Sequence, residues 1–199
     1  MWAGGYQVSD DPDNYIFFLA KEEVPYGCFS NAYHESSDGH VGLVESLEKD
    51  ASNSPRFWCV NQELHYRKAK IFGDEDIAQQ ILDEKNDAGK IKQFGRMVKG
   101  YDDAKWTELR YDVARNAVYA KFSYDDSLKK ILLDSGDKII VEAASDKAWG
   151  IGCAEFTTHE TKGAKHKETG CWDTGPKLWE GQNLLGRCLM DVRRMLREK

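Results

Sequence analysis

A chain of 199 residues, 41% hydrophobic and 31% charged, suits one globular domain and excludes a disordered or fibrous polymer. The net charge of −6 argues against broad, sequence-independent binding of nucleic acid, which needs a basic surface. No stretch reaches the ~20 apolar residues of a membrane span, and Tyr15–Ala20 is too short and lacks the basic flank of a signal-peptide core, so a cytoplasmic or nuclear protein is expected.

In chain order, residues 1–13 are Gly- and Asp-rich and read as a flexible leader, with one domain over 14–199. Tyr15–Ala20 reads as a buried strand, Val41–Val44 as a short edge strand and Phe57–Val60 as another strand. Asn61 is placed to cap a helix running to about Phe72. Helices follow over Asp74–Lys85 and Asp87–Lys99. Asp102 or Asp103 opens a longer one, with Trp106, Leu109, Val113, Ala117 and Ala120 at helical spacing. Asp125 begins another, and Gly136 stands just past its end. Lys138–Ala143 reads as a strand, Gly150–Gly181 as a long loop, and Asn183–Lys199 as a closing helix. The expected fold is therefore α+β, a single, mostly helical domain around a small β-sheet.

The five cysteines are odd in number and form no C-x-x-C pair, which argues against a disulfide framework. Cys153, His159, His166 and Cys171 fall within nineteen residues, but their spacing matches no common zinc pattern, so no metal is expected. The same stretch carries Lys162, Lys165, His166 and Lys167, a cationic patch in an acidic chain. It reads either as a solvated loop or as a local basic surface.

Three segments carry chemistry. On a helix, Glu63, Arg67 and Lys70 recur at i, i+4 and i+7 and share a face. Such a face serves as a solvated surface with one ion pair. It equally brings together a carboxylate that moves protons and an amine whose cationic neighbour favours its neutral, nucleophilic form. Asp146-Lys147-Ala148-Trp149-Gly150-Ile151-Gly152 follows the Lys138–Ala143 strand. Gly150 and Gly152 let a ligand approach the backbone, and Trp149 offers a face for stacking; a tight turn beside a core tryptophan is the alternative. At Gly181-Gln182-Asn183 the chain re-enters a helix, where free amides would receive a phosphate unless Asn183 is a plain cap.

The ordered set Phe29-Ser30-Asn31, Glu63-Leu64-His65-Tyr66 with Ala69-Lys70, Gly95-Arg96, Trp106 with Arg110, and Ala120-Lys121-Phe122 resembles the NADAR family of N-glycosidases. So do Val141-Glu142, Asp146–Gly152, and Gly181–Gly186 with Leu189-Met190 and Val192-Arg193. The resemblance spans about residues 15 to 197 in the family's order. It departs at the first helix: the family's Ser-x-Glu-His becomes Asn61-Gln62-Glu63-Leu64-His65. The histidine is thereby displaced by one position, about 100° around the helix.

The resemblance implies an α+β enzyme that hydrolyses the C1′–N bond of an N-linked phosphoribosyl group and needs no cofactor or metal. It implies catalytic roles for Glu63, Lys70 and, as a second lysine, Lys121. Ligand contacts are expected from Phe29, Ser30, Asn31, Arg67, Arg96, Trp106, Arg110, Asp146, Trp149, Gly150, Gly152 and Asn183. Two substrates are similar to those of family branches: ADP-ribosylated guanine in DNA or RNA, and phosphoribosylamino-pyrimidine intermediates of riboflavin biosynthesis. The cationic stretch at Lys162–Lys167, with no recognisable riboflavin-pathway domain alongside, favours the first. A non-catalytic module that only binds ADP-ribose is the reading from another class, and no membrane partner is expected.

Overall fold

The computed structural model describes residues 9, 11–34, 39–42, 55–152 and 179–198. Most of the expected leader, the second half of the expected strand Val41–Val44 and the Cys153–Cys171 cluster with its lysines lie outside them. The elements are β1 (Tyr15–Phe18), β2 (His40–Val41), β3 (Arg56–Phe57), α1 (Val60–Ile71), α2 (Glu75–Asp83), α3 (Ala88–Arg96), α4 (Asp103–Tyr124), α5 (Asp126–Asp134), β4 (Ile139–Glu142) and α6 (Leu184–Arg197). The class is α+β and mostly helical, as expected. The chain divides into two compact units, one of residues 1–30 with 130–199 and one of residues 31–129.

The 31–129 unit is a helical body with a two-stranded antiparallel ribbon. Four aspartates start its helices. Asp74 Oδ1 accepts from Ile77 N, Asp87 from Gly89 N and Lys90 N, Asp102 from Lys105 N, and Asp125 from Ser127 N and Leu128 N. Each carboxylate satisfies amides that the first turn leaves without partners and opposes the positive end of the helix dipole. Helices α1, α2 and α3 close over a core of Trp58, Cys59, Ala69, Ile77, Ala78, Ile81, Ile91 and Val98. Leu109, expected to face inward on α4, is exposed instead.

Helix α1 starts differently from the expectation. Asn61 does not cap it; the N-cap is Cys59, which makes no side-chain cap bond. Gln62 takes over, accepting from Trp58 N at 3.0 Å and donating to the carbonyls of Ile81, Leu82 and Glu84. Those three carbonyls end α2, so one amide side chain fixes the start of α1 to the end of α2. Helix α1 therefore begins inside the protein, and Phe57–Val60 splits into a short strand, a bend and the first helical residue.

In the other unit β1 and β4 pair in parallel, Tyr15 opposite Ile139 through Phe18 opposite Glu142, and α6 lies against β4. Asn183 welds these parts together. It sits in the left-handed region at φ 49°, makes no cap bond, and is fully buried. Its Oδ1 accepts from Glu142 N at 2.9 Å and its Nδ2 donates to Ile140 O at 2.8 Å. The side chain thus copies one residue of a neighbouring strand along β4. Replacing Asn183 with Ala strands a buried donor and a buried acceptor, and should destabilise the protein by about 2–5 kcal/mol in urea unfolding.

Candidate active site

The site begins with a carboxylate that the fold has taken out of water. Glu63 is 2% exposed in the first turn of α1, and Arg67, one turn later, is 5% exposed. Arg67 Nη2 lies 3.4 Å from Glu63 Oε1, so the i,i+4 pair read from the sequence forms, but it is buried rather than on a solvent face. The other oxygen, Oε2, is 2.8 Å from Nε2 of His40, a bond in which the imidazole N–H donates to the carboxylate. A buried carboxylate held by two partners in this way is strongly destabilised when one partner is removed, by about 3–5 kcal/mol.

His40 was not foreseen. It lies on β2 opposite Phe57, between Gly39 at φ 58° and Gly42. Gly42 has to be a glycine: a Cβ there would stand 2.7 Å from Glu63 Oε1, 2.7 Å from the Phe57 ring and 2.9 Å from Arg67 Nη2. The one sequence signal was the Gly39-His40-Val41-Gly42 run itself. Two glycines around a histidine let a short strand come close enough to deliver its ring to a carboxylate.

Helix α4 lies against both β2 and α1 and carries Lys121, which is 1% exposed. Its Nζ stands 4.9 Å from the centre of the Tyr33 ring. Asn31, two residues before Tyr33, accepts a hydrogen bond at its backbone oxygen from Asn61 N at 2.9 Å. Segment 31–34, the start of α1, β2 and α4 therefore bring Asn31, Glu63, Arg67 and Lys121 of the expected set into one neighbourhood. Lys70 is placed apart from it. It is exposed, bonds Glu75 at 2.8 and 2.9 Å, and lies two helical turns, about 10 Å along the axis, from Glu63. Helical spacing gave the right angle around α1 but not the depth.

Gly95, Arg96, Trp106 and Arg110 belong to a second neighbourhood, at the far end of α1. A Cβ on Gly95 would meet the His65 ring at 2.2 Å, so α3 approaches α1 there as closely as its backbone allows. Lys68 donates to Gly95 O at 2.8 Å, and its Nζ stands 4.1 Å from the Tyr101 ring centre and 5.7 Å from Trp106. Burial pushes the Lys68 ammonium below its ordinary value, against the pull of Asp103. Arg96 is exposed, and Arg110 half-buried one turn after Trp106.

The remaining expected contacts fall in the unit of residues 1–30 and 130–199, where they hold backbone to backbone. Phe29 is a core residue edge-on to Phe18, and Ser30 is buried with its amide bonded to Gly27 O. Asp146 Oδ1 accepts from Ala148 N and Trp149 N and shapes the turn that holds a half-buried Trp149. The expectation of free amides for a phosphate at the start of α6 fails. Five consecutive amides, Gly181 to Leu185, each donate to a carbonyl within 147–151. Gly150 and Gly152 serve that interlock, because a Cβ on Gly150 would meet Ala144 O at 2.8 Å and Gly152 adopts φ 74°. Asn183 is bound to β4 as described above. Among the described residues no three of His, Cys, Asp and Glu are grouped to hold a metal ion, and no helix is long and apolar enough to cross a membrane.

A family model described as the NADAR domain matches residues 17–197. The N-glycosidase R617 of Acanthamoeba polyphaga mimivirus is 34% identical over 92% of this chain and 96% of its own length. The protein irg-1 of Caenorhabditis elegans is 32% identical over 84% of this chain and 74% of its own length. The N-glycosidase Npun_R5314 of Nostoc punctiforme is 25% identical over 92% of each chain. Among solved structures, the Escherichia coli protein YbiA shares the fold, with a TM-score of 0.64 at 21% identity over 99% of this chain and 92% of that one.

The second neighbourhood has a measurable consequence. Burial, with Lys68, Lys92 and Arg96 nearby, pushes the His65 imidazole down to about 3, so it stays neutral in the folded protein. The unfolded chain protonates it near 6.5, so the stability it contributes is intact above that value and drains away as pH falls toward 3. Between pH 7 and pH 5 this one group should cost on the order of 2 kcal/mol. Urea unfolding of His65→Gln beside the wild type should show a shallower loss over that interval; parallel pH slopes would contradict the assignment.

Proposed function

The chain belongs to the NADAR family, and on that premise we propose that it is a hydrolase of N-glycosyl bonds that frees guanine in DNA or RNA from ADP-ribose by breaking the C1′–N bond. The observation that carries the reading is the buried Glu63 carboxylate between His40 and Arg67, with the buried Lys121 on the helix packed against the same elements. Relatives from the mimivirus and from Nostoc are N-glycosidases, which supports the bond type. The choice of ADP-ribosylated nucleic acid over a phosphoribosylamino-pyrimidine rests on Lys162, Lys165, His166 and Lys167, a cationic run in an acidic chain.

The chemistry asks for a group that moves protons and a group that attacks C1′. The ribose ring opens to an imine at C1′, and the neutral amine of Lys121 adds to that carbon. The proton carried by the newly bonded lysine nitrogen passes to the base nitrogen, the C1′–N bond breaks, and the sugar is left as a lysine iminium. Water then adds to C1′ and gives one proton to Glu63. The C1′–Nζ bond breaks as Glu63 returns that proton to the lysine nitrogen and takes up the proton of the C1′ hydroxyl, and the sugar leaves as an aldehyde. Glu63 Oε1 suits this exchange, since its 3.4 Å contact with Arg67 is long for a hydrogen bond while Oε2 is firmly bound to His40. Lys121 fits better than Lys70, whose ammonium is exposed and bonded to Glu75.

A release assay on ADP-ribosylated oligonucleotide, run beside a phosphoribosylamino-pyrimidine, tests both bond and substrate. Free ADP-ribose from the oligonucleotide is the expected product; release only from the pyrimidine would replace the substrate, and binding without release would make the protein a reader. Glu63→Gln should lower kcat by at least about a hundredfold with folding retained. Borohydride added during turnover should trap the sugar on Lys121. Lys121→Arg should be inactive, because a guanidinium does not become a neutral nucleophile, and Lys70→Arg should stay within about tenfold of wild type. An adduct on Lys70 would move the nucleophile, and no adduct with an active Lys121→Arg would leave water activated by Glu63.

A further inference from the structure

Two buried carboxamides, Asn61 in the first turn of α1 and Asn31 bonded to its backbone, hold polar atoms that have no partner among the described residues. Asn31 Oδ1 and Asn61 Nδ2 are fully buried and have no hydrogen-bond partner among the described residues. The residues are 9% and 4% exposed, so both are more than nine-tenths buried. They are neighbours by construction, because Asn61 N donates to Asn31 O at 2.9 Å. A buried amide atom left without a partner is costly, and natural proteins rarely keep one, let alone one on each of two residues joined by a backbone hydrogen bond. Neither asparagine serves the backbone: Asn61 lies inside the first turn of α1 without capping it, Gln62 having taken that task.

We propose that Asn31 and Asn61 form a hydroxyl-reading subsite that takes the vicinal 2′,3′-diol of the substrate's ribose. The pair offers one acceptor and one donor. A hydroxyl is both donor and acceptor and rotates freely, so two adjacent hydroxyls complete both amides at once. Position selects the sugar over the base or the phosphates. Asn61 is two residues before Glu63 on the same helix, and the 2′-hydroxyl is one carbon from C1′, the atom at which Glu63 would act. Asn31 is two residues before Tyr33, whose ring lies under the Lys121 amine. The subsite rests on the proposed N-ribosyl reading, yet it does not depend on which base is released, since the sugar is common to every substrate considered.

The two ideas fail separately. Binding is measured calorimetrically with ribose 5-phosphate and with ADP-ribose, each against its 2-deoxy counterpart, while turnover is followed on the ribosylated substrate. The wild type should bind the hydroxylated form of the ligand about tenfold to a hundredfold tighter. Asn61→Leu and Asn31→Leu should erase that preference while melting no lower than wild type, because each removes an unsatisfied buried atom. Asn61→Ala, which removes the amide without adding bulk, should lose the preference too, and covers the case in which a leucine disturbs folding. No preference in the wild type, no binding of either sugar phosphate, or a preference that survives in Asn61→Ala would each overturn the subsite. Lower melting temperatures in both leucine variants with the preference intact would assign the amides to buried water. Hydroxyl preference without turnover would refute the hydrolase and leave the subsite standing; turnover without preference would do the reverse.

Discussion

The neighbourhood of His40, Glu63 and Arg67 depends on one carboxylate being held in the protein interior. Glu63 is buried on a helix that itself starts inside the protein, and charge in such a place has to be matched at close range. Arg67 comes from the same helix one turn on, but His40 has to be brought from a separate strand. That requirement explains the shape of β2: two residues long, flanked by glycines, and pressed so closely on Glu63 and Arg67 that no side chain fits at Gly42. It also explains why Gln62 spends all its polar atoms anchoring the start of α1. A helix carrying a buried charge cannot fray at that end without exposing the charge to water.

The motifs shared with the family divide into two physical kinds. Asn31, Glu63, Arg67 and Lys121 keep polar groups in the interior. Gly150, Gly152 and Asn183 instead bring backbone segments close, through two glycines and one side chain that imitates a strand, and Phe29 fills the core against Phe18. The second kind looks like a ligand site in a linear sequence, because glycine-rich turns before helices serve phosphates as readily as they serve packing. What separates them is where the amides point. Here the amides of 181–185 point into the carbonyls of 147–151.

The helix starts were legible to within about one residue and the ends to within three, because start signals are local: a cap carboxylate and the amides it serves lie three residues apart. The ribbon of β2 and β3 was not, since two-residue strands have no alternation to detect and their pairing joins residues some sixteen apart. The site was legible where it lies within one helix, as with Glu63 and Arg67. His40 was missed because its partner is 23 positions away. Lys70 was misplaced because periodicity reports direction around a helix axis, whereas burial changes along it: the start of α1 is enclosed and its end meets solvent. Leu109 and Asn183 carry the same lesson, as residue type suggested a role that position then overruled.

The interlock between 147–151 and 181–185 also bears on the length of chain that it encloses. Gly181 N bonds Ile151 O at 2.8 Å, so the stretch between Gly152 and Gly181 leaves and rejoins the protein at nearly the same spot. Its ends are closed by the domain's own hydrogen bonds. Doubling the length of such a segment adds only about 0.6 kcal/mol of closure entropy. Residues gained or lost there pull on neither β4 nor α6, which are joined independently through Asn183. The fold thus possesses a port where sequence can be inserted at little cost to the elements on either side of it.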